Sequence, residues 1–270
     1  MTPIRAACAV WLLLAMACHA AGGELIIPGT GDGLEMLRQL GAAYSDKNPS
    51  TKIVFPISIG SGGGKISVAQ DRAVLGRVAV PLTASDEAVG MVAVPIVRVP
   101  TVFFTHPSLR ITNLSARQIS DLFAGHIRTW AEVGGPDMRV RVVRREDADS
   151  TLQVLRATIP EWKELVITDR AKTAFTTQEA FEAVAQFDGA IGFGPYSPAV
   201  EQQFNVIKMD GKHPTSADYP SFTTIRLIFK RDRLTDEAKD FVNFAASAEA
   251  AQIFAGYGGV PERSSLLPAH

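Results

Sequence analysis

The spacing of apolar residues divides the chain into short strands and amphipathic helices. Apolar residues alternate with other residues over 52–59, which predicts a strand. Over 34–44 they recur every three or four residues, which predicts a helix that ends at Asn48-Pro49. Strand-like and helical segments continue to alternate as far as two predicted helices, 235–246 and 248–255. This alternation predicts an α/β fold.

The centre of the chain contains two further predicted strands, 89–94 and 96–104, with Pro95 and Pro100 as interruptions. We find no internal repeat with a period of about 20–50 residues, and no linker rich in Pro and Ser. Any two lobes must therefore be joined by short crossings of the chain, for which the region around Pro95 and the region 195–198 are the candidates.

Residues 1–20 have the features of a secretory signal. Arg5 precedes an apolar run of twelve residues. A membrane-spanning helix needs ~20 apolar residues, so this run is too short to span. A short apolar run after a basic start predicts an exported protein. We expect cleavage after Ala20; the alternative is cleavage before Cys18 with a lipid attached to that cysteine.

The composition excludes several classes of protein. Apolar residues make up 46% and charged residues 20% of the chain, which excludes a disordered protein and a coiled coil. The 27 basic and 28 acidic residues lack the basic excess typical of a nucleic-acid-binding protein. Both cysteines lie within the first eighteen residues, and the five histidines show no metal-ligand spacing. We therefore expect no disulfide framework, no metal site and no cofactor.

Three loops share one design, in which small or hydroxyl-bearing residues follow a strand and begin a helix: 30–33, 61–64 and 149–151. A helix N-terminus offers unpaired N–H groups and about half a positive charge, so such ends bind anions readily. Together the three loops predict a shared oxyanion pocket, although an ordinary tight turn is the alternative for 61–64. None of them matches the Walker or GxGxxG pattern, which disfavours nucleotide binding.

Catalysis has less support from the sequence. The residues around Ser61 lack the GxSxG spacing of a nucleophile elbow. His106 and His126 could serve as a base for Ser61, but both are expected in surface loops. We therefore predict that the protein is not an enzyme and has no catalytic residues; a secreted hydrolase built on Ser61 is the minor alternative.

Four segments carry a resemblance to a known family. They are 59–66 (IGSGGGKI), 114–135 (LSARQISDLFAGHIRTWAEVGG), 189–193 (GAIGF) and 256–261 (GYGGVP). These segments resemble motifs of the phosphate-type substrate-binding proteins of ABC transporters, which belong to the type II periplasmic-binding-protein superfamily. Together they span nearly the whole chain after the predicted signal.

The resemblance implies a two-lobe α/β fold with the ligand cleft between the lobes. Residues 24–94 plus 197–270 would form lobe 1, and residues 95–196 would form lobe 2. The implied protein is a periplasmic monomer that captures an inorganic oxyanion, phosphate in the family. It would deliver that ligand to an ABC-transporter permease without chemistry on it.

The chain departs from the family at several positions of the implied pocket. The family's acid, which can accept the proton of hydrogen phosphate, is Val74 here, and a serine and an arginine that follow it are Ala79 and Val80. Arg77 could supply positive charge to the pocket or face solvent. Asp149 stands where a serine is usual.

The predicted ligand-binding residues combine the three loops with the positions that match the family: Thr30, Asp32, Ser61, Gly62, Arg145, Asp149, Ser150 and Thr151. Hydroxyl and N–H groups would hold the oxyanion, and Arg145 would add positive charge. Asp32 or Asp149 could replace the missing acid as acceptor of the ligand's proton, which predicts a preference for a protonated ligand. The alternative is a degenerate member of the family with a structural or signalling role and no phosphate binding.

Overall fold

The computed structural model describes residues 23–262. Its strands are β1 (Gly23–Ile26), β2 (Thr51–Val54), β3 (Gly76–Val78), β4 (Met91–Thr105), β5 (Asn113–Leu114), β6 (Arg141–Arg145), β7 (Lys172–Ala174), β8 (Ala190–Pro195), β9 (Asn205–Met209), β10 (Phe222–Lys230) and β11 (Val260–Pro261). Its helices are α1 (Leu34–Lys47), α2 (Gly60–Ala69), α3 (Ala84–Ala88), α4 (Ala116–Ala124), α5 (Ser150–Thr158), α6 (Thr177–Gln186), α7 (Pro198–Gln203), α8 (Asp236–Phe244) and α9 (Ala248–Gly256). Short 3-10 helices cover Trp130–Val133, Pro160–Trp162 and Arg231–Arg233. Within the described range no helix is long and apolar enough to cross a membrane. The predicted signal and Cys18 lie outside the described residues.

One large mixed sheet organises the fold. Its main path follows the order β3-β10-β4-β8-β6-β7, and β5, β9 and β11 join beside this path. The long strand β4 is shared between two groups of strands, because its residues 91–100 pair antiparallel with β10 and its residues 101–105 pair antiparallel with β8. A separate parallel pair is formed by β1 and β2.

The hydrophobic core changes along β4. The first part of β4 packs in a cluster with α1, β10, α8 and α9, whose members lie between Ile27 and Val99 and between Ile225 and Phe254. The last part of β4 packs in two other clusters, whose members all lie between Val102 and Tyr219. The two-lobe α/β fold predicted from the sequence is confirmed by this division of the core, together with the structural relatives described below.

The predicted bounds of the lobes, at 94/95 and 196/197, stay a prediction. The packing of the core indicates where the division along β4 lies. Val97 and Val99 belong to the first cluster, whereas Val200 and Ile207 belong to the clusters on the other side of the molecule. The change of core along β4 therefore lies close to Pro100.

Three local predictions differ from the structure. The two central strands are one strand, because a shift of register between Ile225 and Arg226 of β10 accommodates the chain around Pro95. Strand β2 is shorter than predicted, since its partner β1 has only four residues. The helix expected from Lys65 begins earlier, at Gly60, so α2 includes the glycine run.

The helix that contains the glycine run packs closely against backbone at Gly64. A Cβ atom built on Gly64 would lie 2.9 Å from the carbonyl oxygen of Arg77 and 3.0 Å from Cα of Gly29. A Cβ atom on Gly62 would have no atom within 4 Å. Packing therefore requires glycine at position 64 but not at position 62.

These two positions make a matched pair for a stability test. We expect Gly64→Ala to lower the free energy of unfolding by about 1–3 kcal/mol, because backbone must shift to admit the methyl group. We expect Gly62→Ala to leave stability unchanged or raise it by up to ~1 kcal/mol, because alanine favours a helix over glycine. Urea denaturation measures both changes. Equal effects of the two variants would contradict the described packing of α2.

Candidate functional site

Asp32 lies at the centre of a buried polar cluster. It belongs to the loop between β1 and α1, and only 1% of its surface is exposed. Its backbone amide donates to Oγ1 of Thr30 at 3.2 Å. Gly33, the next residue, has φ of 63°, a left-handed conformation that glycine adopts readily. The loop therefore turns the Asp32 side chain into the interior.

Three hydroxyl groups donate to the Asp32 carboxylate. Oγ of Ser150 is 3.2 Å from Oδ2, and Oγ1 of Thr151 is 3.3 Å from Oδ1 and 3.4 Å from Oδ2. Oγ1 of Thr177 is 3.4 Å from Oδ1. The donors stand on the first turns of α5 and α6, more than a hundred residues along the chain from Asp32. The cluster therefore joins the start of α1 to the starts of two helices from the other half of the molecule.

Arg145 and Asp149 form a buried ion pair beside this cluster. One terminal guanidinium nitrogen of Arg145 is 2.8 Å from Oδ2 of Asp149. The same guanidinium donates to Oγ1 of Thr177 at 3.2 Å and to the carbonyl oxygens of Ala174 and Phe175 at 3.1 Å. Arg145 thereby ties the end of β6 to the start of α6.

Asp149 is also the N-cap residue of α5, since its Oδ1 accepts from the amide of Leu152 at 3.1 Å. Burial raises the pKa of the Asp149 carboxyl to about 6. The neighbouring Asp32 adds to this increase in pKa, while Arg145 opposes it. Asp149 therefore replaces the expected serine by a group that caps its helix and neutralises Arg145.

Arg77 does not face solvent, which was one of the two sequence-based expectations for it. Its side chain is fully buried, and it donates to the carbonyl oxygens of Ile27, Thr30 and Pro56. Burial lowers the pKa of Arg77 to about 10, and the charge of Asp32 opposes this decrease. Arg77 thus braces the loop that carries Asp32 and places a positive charge near its carboxylate.

Ser61 and Gly62 stand apart from the contacts around Asp32. Oγ of Ser61 accepts from the amide of Ala79 at 3.0 Å and, among the described residues, donates to no protein acceptor. The serine does not cap α2, whose N-cap is Ile59. Gly62 is exposed in the first turn of the same helix. Of the predicted site residues, the structure brings together all except these two.

Thr177 was missed by the sequence analysis. It is 3% exposed, donates to Asp32 and accepts from Arg145. A local signal was present, because Thr176-Thr177 follows β7 and begins α6, the same strand–hydroxyl–helix design as the other loops. A Cβ atom on Gly31 would lie 3.0 Å from Oγ1 of Thr177, so the close approach of the two loops needs glycine there.

Comparison with known proteins assigns the chain to a family. A family model described as a PBP superfamily domain matches residues 19–249. The chain belongs to the PBP superfamily. This membership and the relatives below confirm the resemblance to phosphate-type substrate-binding proteins that the four sequence segments indicated.

Two PBP relatives known by sequence carry the name phosphate-binding protein PstS. The protein from Bacillus subtilis is 23% identical over 238 residues, covering 85% of this chain and 77% of that protein. The protein from Borreliella burgdorferi is 22% identical over 172 residues, covering 56% of this chain and 59% of that protein.

Solved structures of PBP type share the fold. A Clostridium perfringens protein determined with bound phosphate has a TM-score of 0.80 at 23% identity, covering 89% of this chain and all of that one. An ABC-type phosphate transport receptor from Vibrio cholerae has a TM-score of 0.65 at 19% identity, with the same coverage of this chain. The two-lobe architecture is therefore that of the superfamily.

The raised pKa of Asp149 gives a test by pH. Because the folded state holds this proton more tightly than the unfolded state, where the usual value is 3.8, Asp149 costs stability as the pH rises from about 4 to about 6. We expect the free energy of unfolding of Asp149→Asn, relative to the native protein, to increase over that range by on the order of 1–3 kcal/mol. Urea denaturation at a series of pH values measures the difference.

Asp147 is the matched control on the same loop. It is exposed and pairs with Arg144 and Arg156, which hold its pKa below the usual value. Asp147→Asn should therefore show the opposite sign, losing stability relative to the native protein as the pH rises from the folded-state pKa of Asp147 to its usual value of 3.8. Between about pH 4 and about pH 6 the difference between Asp147→Asn and the native protein should stay constant. A loss of stability of Asp149→Asn relative to the native protein, confined like that of Asp147→Asn to pH values below about 4, would show that Asp149 titrates as an ordinary ion-paired surface acid.

Proposed function

We propose that this protein binds inorganic phosphate and delivers it to the permease of an ABC transporter. The observation that carries the proposal is the convergence of three buried hydroxyl groups on one point between the two halves of the molecule, with the Arg145 guanidinium hydrogen-bonded to one of these hydroxyl groups. Membership of the PBP superfamily supports the proposal, as do the relatives named for phosphate binding.

The donors around Asp32 suit an oxyanion. Ser150, Thr151 and Thr177 offer hydroxyl protons, and hydrogen bonds to a charged acceptor are about twice as strong as those between neutral groups. Four N–H groups of Arg145 serve described protein acceptors. Since a guanidinium has five, one remains for a ligand.

Thr30, Ser61 and Gly62 complete the proposed set on the side of α1 and α2. The hydroxyl proton of Ser61 has no protein acceptor among the described residues, and the exposed first turn of α2 presents backbone N–H groups. Phosphate held by both groups would have donors from each half of the molecule. The roles predicted for Asp32 and Asp149 as acceptors of the ligand's proton stay a prediction.

The wider context of the proposal is an exported binding protein that performs no chemistry on its ligand. The predicted signal at 1–20 would direct it to the periplasm, with Cys18 as the alternative site of a lipid anchor. We propose that it acts as a monomer. Intact mass of the mature protein separates a soluble chain that begins at Ala21 from an acylated chain that begins at Cys18.

Isothermal titration tests the proposed ligand. We expect phosphate to bind in preference to sulfate and to an organic anion such as citrate. Because a hydrogen bond to a charged group contributes about 1.5–3 kcal/mol, Ser150→Ala and Ser61→Ala should each weaken phosphate binding by roughly ten- to a hundredfold.

The control for these variants is Ser108→Ala, which removes an exposed hydroxyl that contacts His106 and Asp188. It should leave phosphate affinity unchanged. Gly62→Ala should weaken phosphate binding without loss of stability, since its methyl group enters the space where the anion would approach the α2 backbone. No heat of binding for phosphate, sulfate or citrate would reject the proposal and favour the degenerate module.

A further inference from the structure

The Asp32 carboxylate is chemically similar to the ligand of the site that contains it. A carboxylate and a phosphate are both oxyanions that accept hydrogen bonds from hydroxyl and guanidinium groups. Asp32 accepts from Ser150, Thr151 and Thr177. These three side chains are buried, with exposures of 5%, 1% and 3%.

The hydroxyl protons around Asp32 cannot serve two acceptors at full strength. Each hydroxyl has a single proton to donate. While Ser150, Thr151 and Thr177 donate to Asp32, they are not available to a free oxyanion. A phosphate at the same point would also meet the negative charge of the carboxylate.

Asp32 is held less firmly than its burial would suggest. Its four hydroxyl contacts are 3.2–3.4 Å long, whereas O–H···O bonds are usually about 2.7–2.8 Å. Among residues 23–262, Asp32 forms no ion pair, since no side-chain nitrogen of Lys, Arg or His lies within 4.0 Å of its carboxylate oxygens. Arg145, which donates to Oγ1 of Thr177, pairs with Asp149 instead.

We propose that the Asp32 carboxylate is a built-in competitor of the ligand, which holds the hydroxyl donors of α5 and α6 until an oxyanion displaces it. This inference rests on the proposed function and adds a determinant of affinity to it. Asp32 would therefore weaken oxyanion binding in the native protein, and removal of its side chain would strengthen that binding. It is the opposite of an acceptor role for Asp32, in which the carboxylate would share the ligand's proton and strengthen binding.

Two substitutions separate the charge of Asp32 from its hydrogen-bond acceptors. Asp32→Asn removes the charge but keeps a carbonyl oxygen for the hydroxyl groups. Asp32→Ser removes the charge and both carboxylate oxygens. We expect phosphate affinity to rise in the order native protein, Asp32→Asn, Asp32→Ser, with at least a tenfold gain for Asp32→Ser in isothermal titration at pH 7.5.

Asp137→Asn is the matched control for net charge, because Asp137 is exposed on the surface and belongs to none of the three loops. It should leave phosphate affinity within about twofold of the native value. Thermal denaturation provides a second readout. Phosphate should raise the melting temperature of Asp32→Ser more than that of the native protein.

The outcomes distinguish this inference from the proposed function. If the native protein binds phosphate and Asp32→Ser binds more tightly, both are supported. If the native protein binds and Asp32→Ser binds equally or more weakly, the inference is overturned and the proposed function stands. If only Asp32→Ser binds, Asp32 blocks the site instead of yielding to the ligand, and both the displacement and the proposed function are overturned. If neither binds, and phosphate shifts neither melting temperature, both are overturned.

Discussion

A buried carboxylate needs hydrogen-bond donors, and this requirement at Asp32 organises the contact between the two halves of the protein. An unpartnered charge in the interior would cost several kcal/mol, so the surrounding chain must supply donors. They come from the first turns of α5 and α6, while Asp32 itself is fixed by the loop before α1. One side chain therefore links the start of α1 to the starts of α5 and α6.

The loop that carries Asp32 is held by a second buried charge. Arg77 donates to three backbone carbonyl oxygens of the β1–α1 and β2–α2 connections, so its positive charge lies close to Asp32 without an ion pair. On the other side, Arg145 is neutralised by Asp149. The two arginines and the two carboxylates, Asp32 and Asp149, have a formal charge of zero when both carboxylates are ionised. An anion that enters must therefore compete for donors rather than fill a positively charged site.

The fold could be predicted from the sequence because its signals are local. Periodic apolar residues located α1, and the predicted helices 235–246 and 248–255 correspond to α8 and α9. The short elements α3, α7 and β9 were not predicted, because elements of 5, 6 and 5 residues are too short to show an apolar period. Pro95 misled the prediction of β4, because the bulge at Ile96 that keeps β4 continuous depends on its pairing with β10 rather than on local sequence.

The site was predictable in part for the same reason. Loops that begin helices with hydroxyl groups can be recognised locally, and Thr30, Ser150 and Thr151 were found in this way. The contacts between Asp32 and its donors join residues 118–145 positions apart, and no local pattern encodes such a pairing. The role of Arg77 was equally hidden, because a basic residue in the sequence does not show whether backbone carbonyl groups surround it.

The central claim is that an oxyanion and the Asp32 side chain use the same donors. A crystal structure of Asp32→Ser grown with phosphate tests it most directly. The account predicts phosphate within hydrogen-bond distance of the hydroxyl groups of Ser150, Thr151 and Thr177, in the space that the carboxylate fills in the native protein. Phosphate bound elsewhere, with those three hydroxyl groups turned to other protein acceptors, would contradict the account.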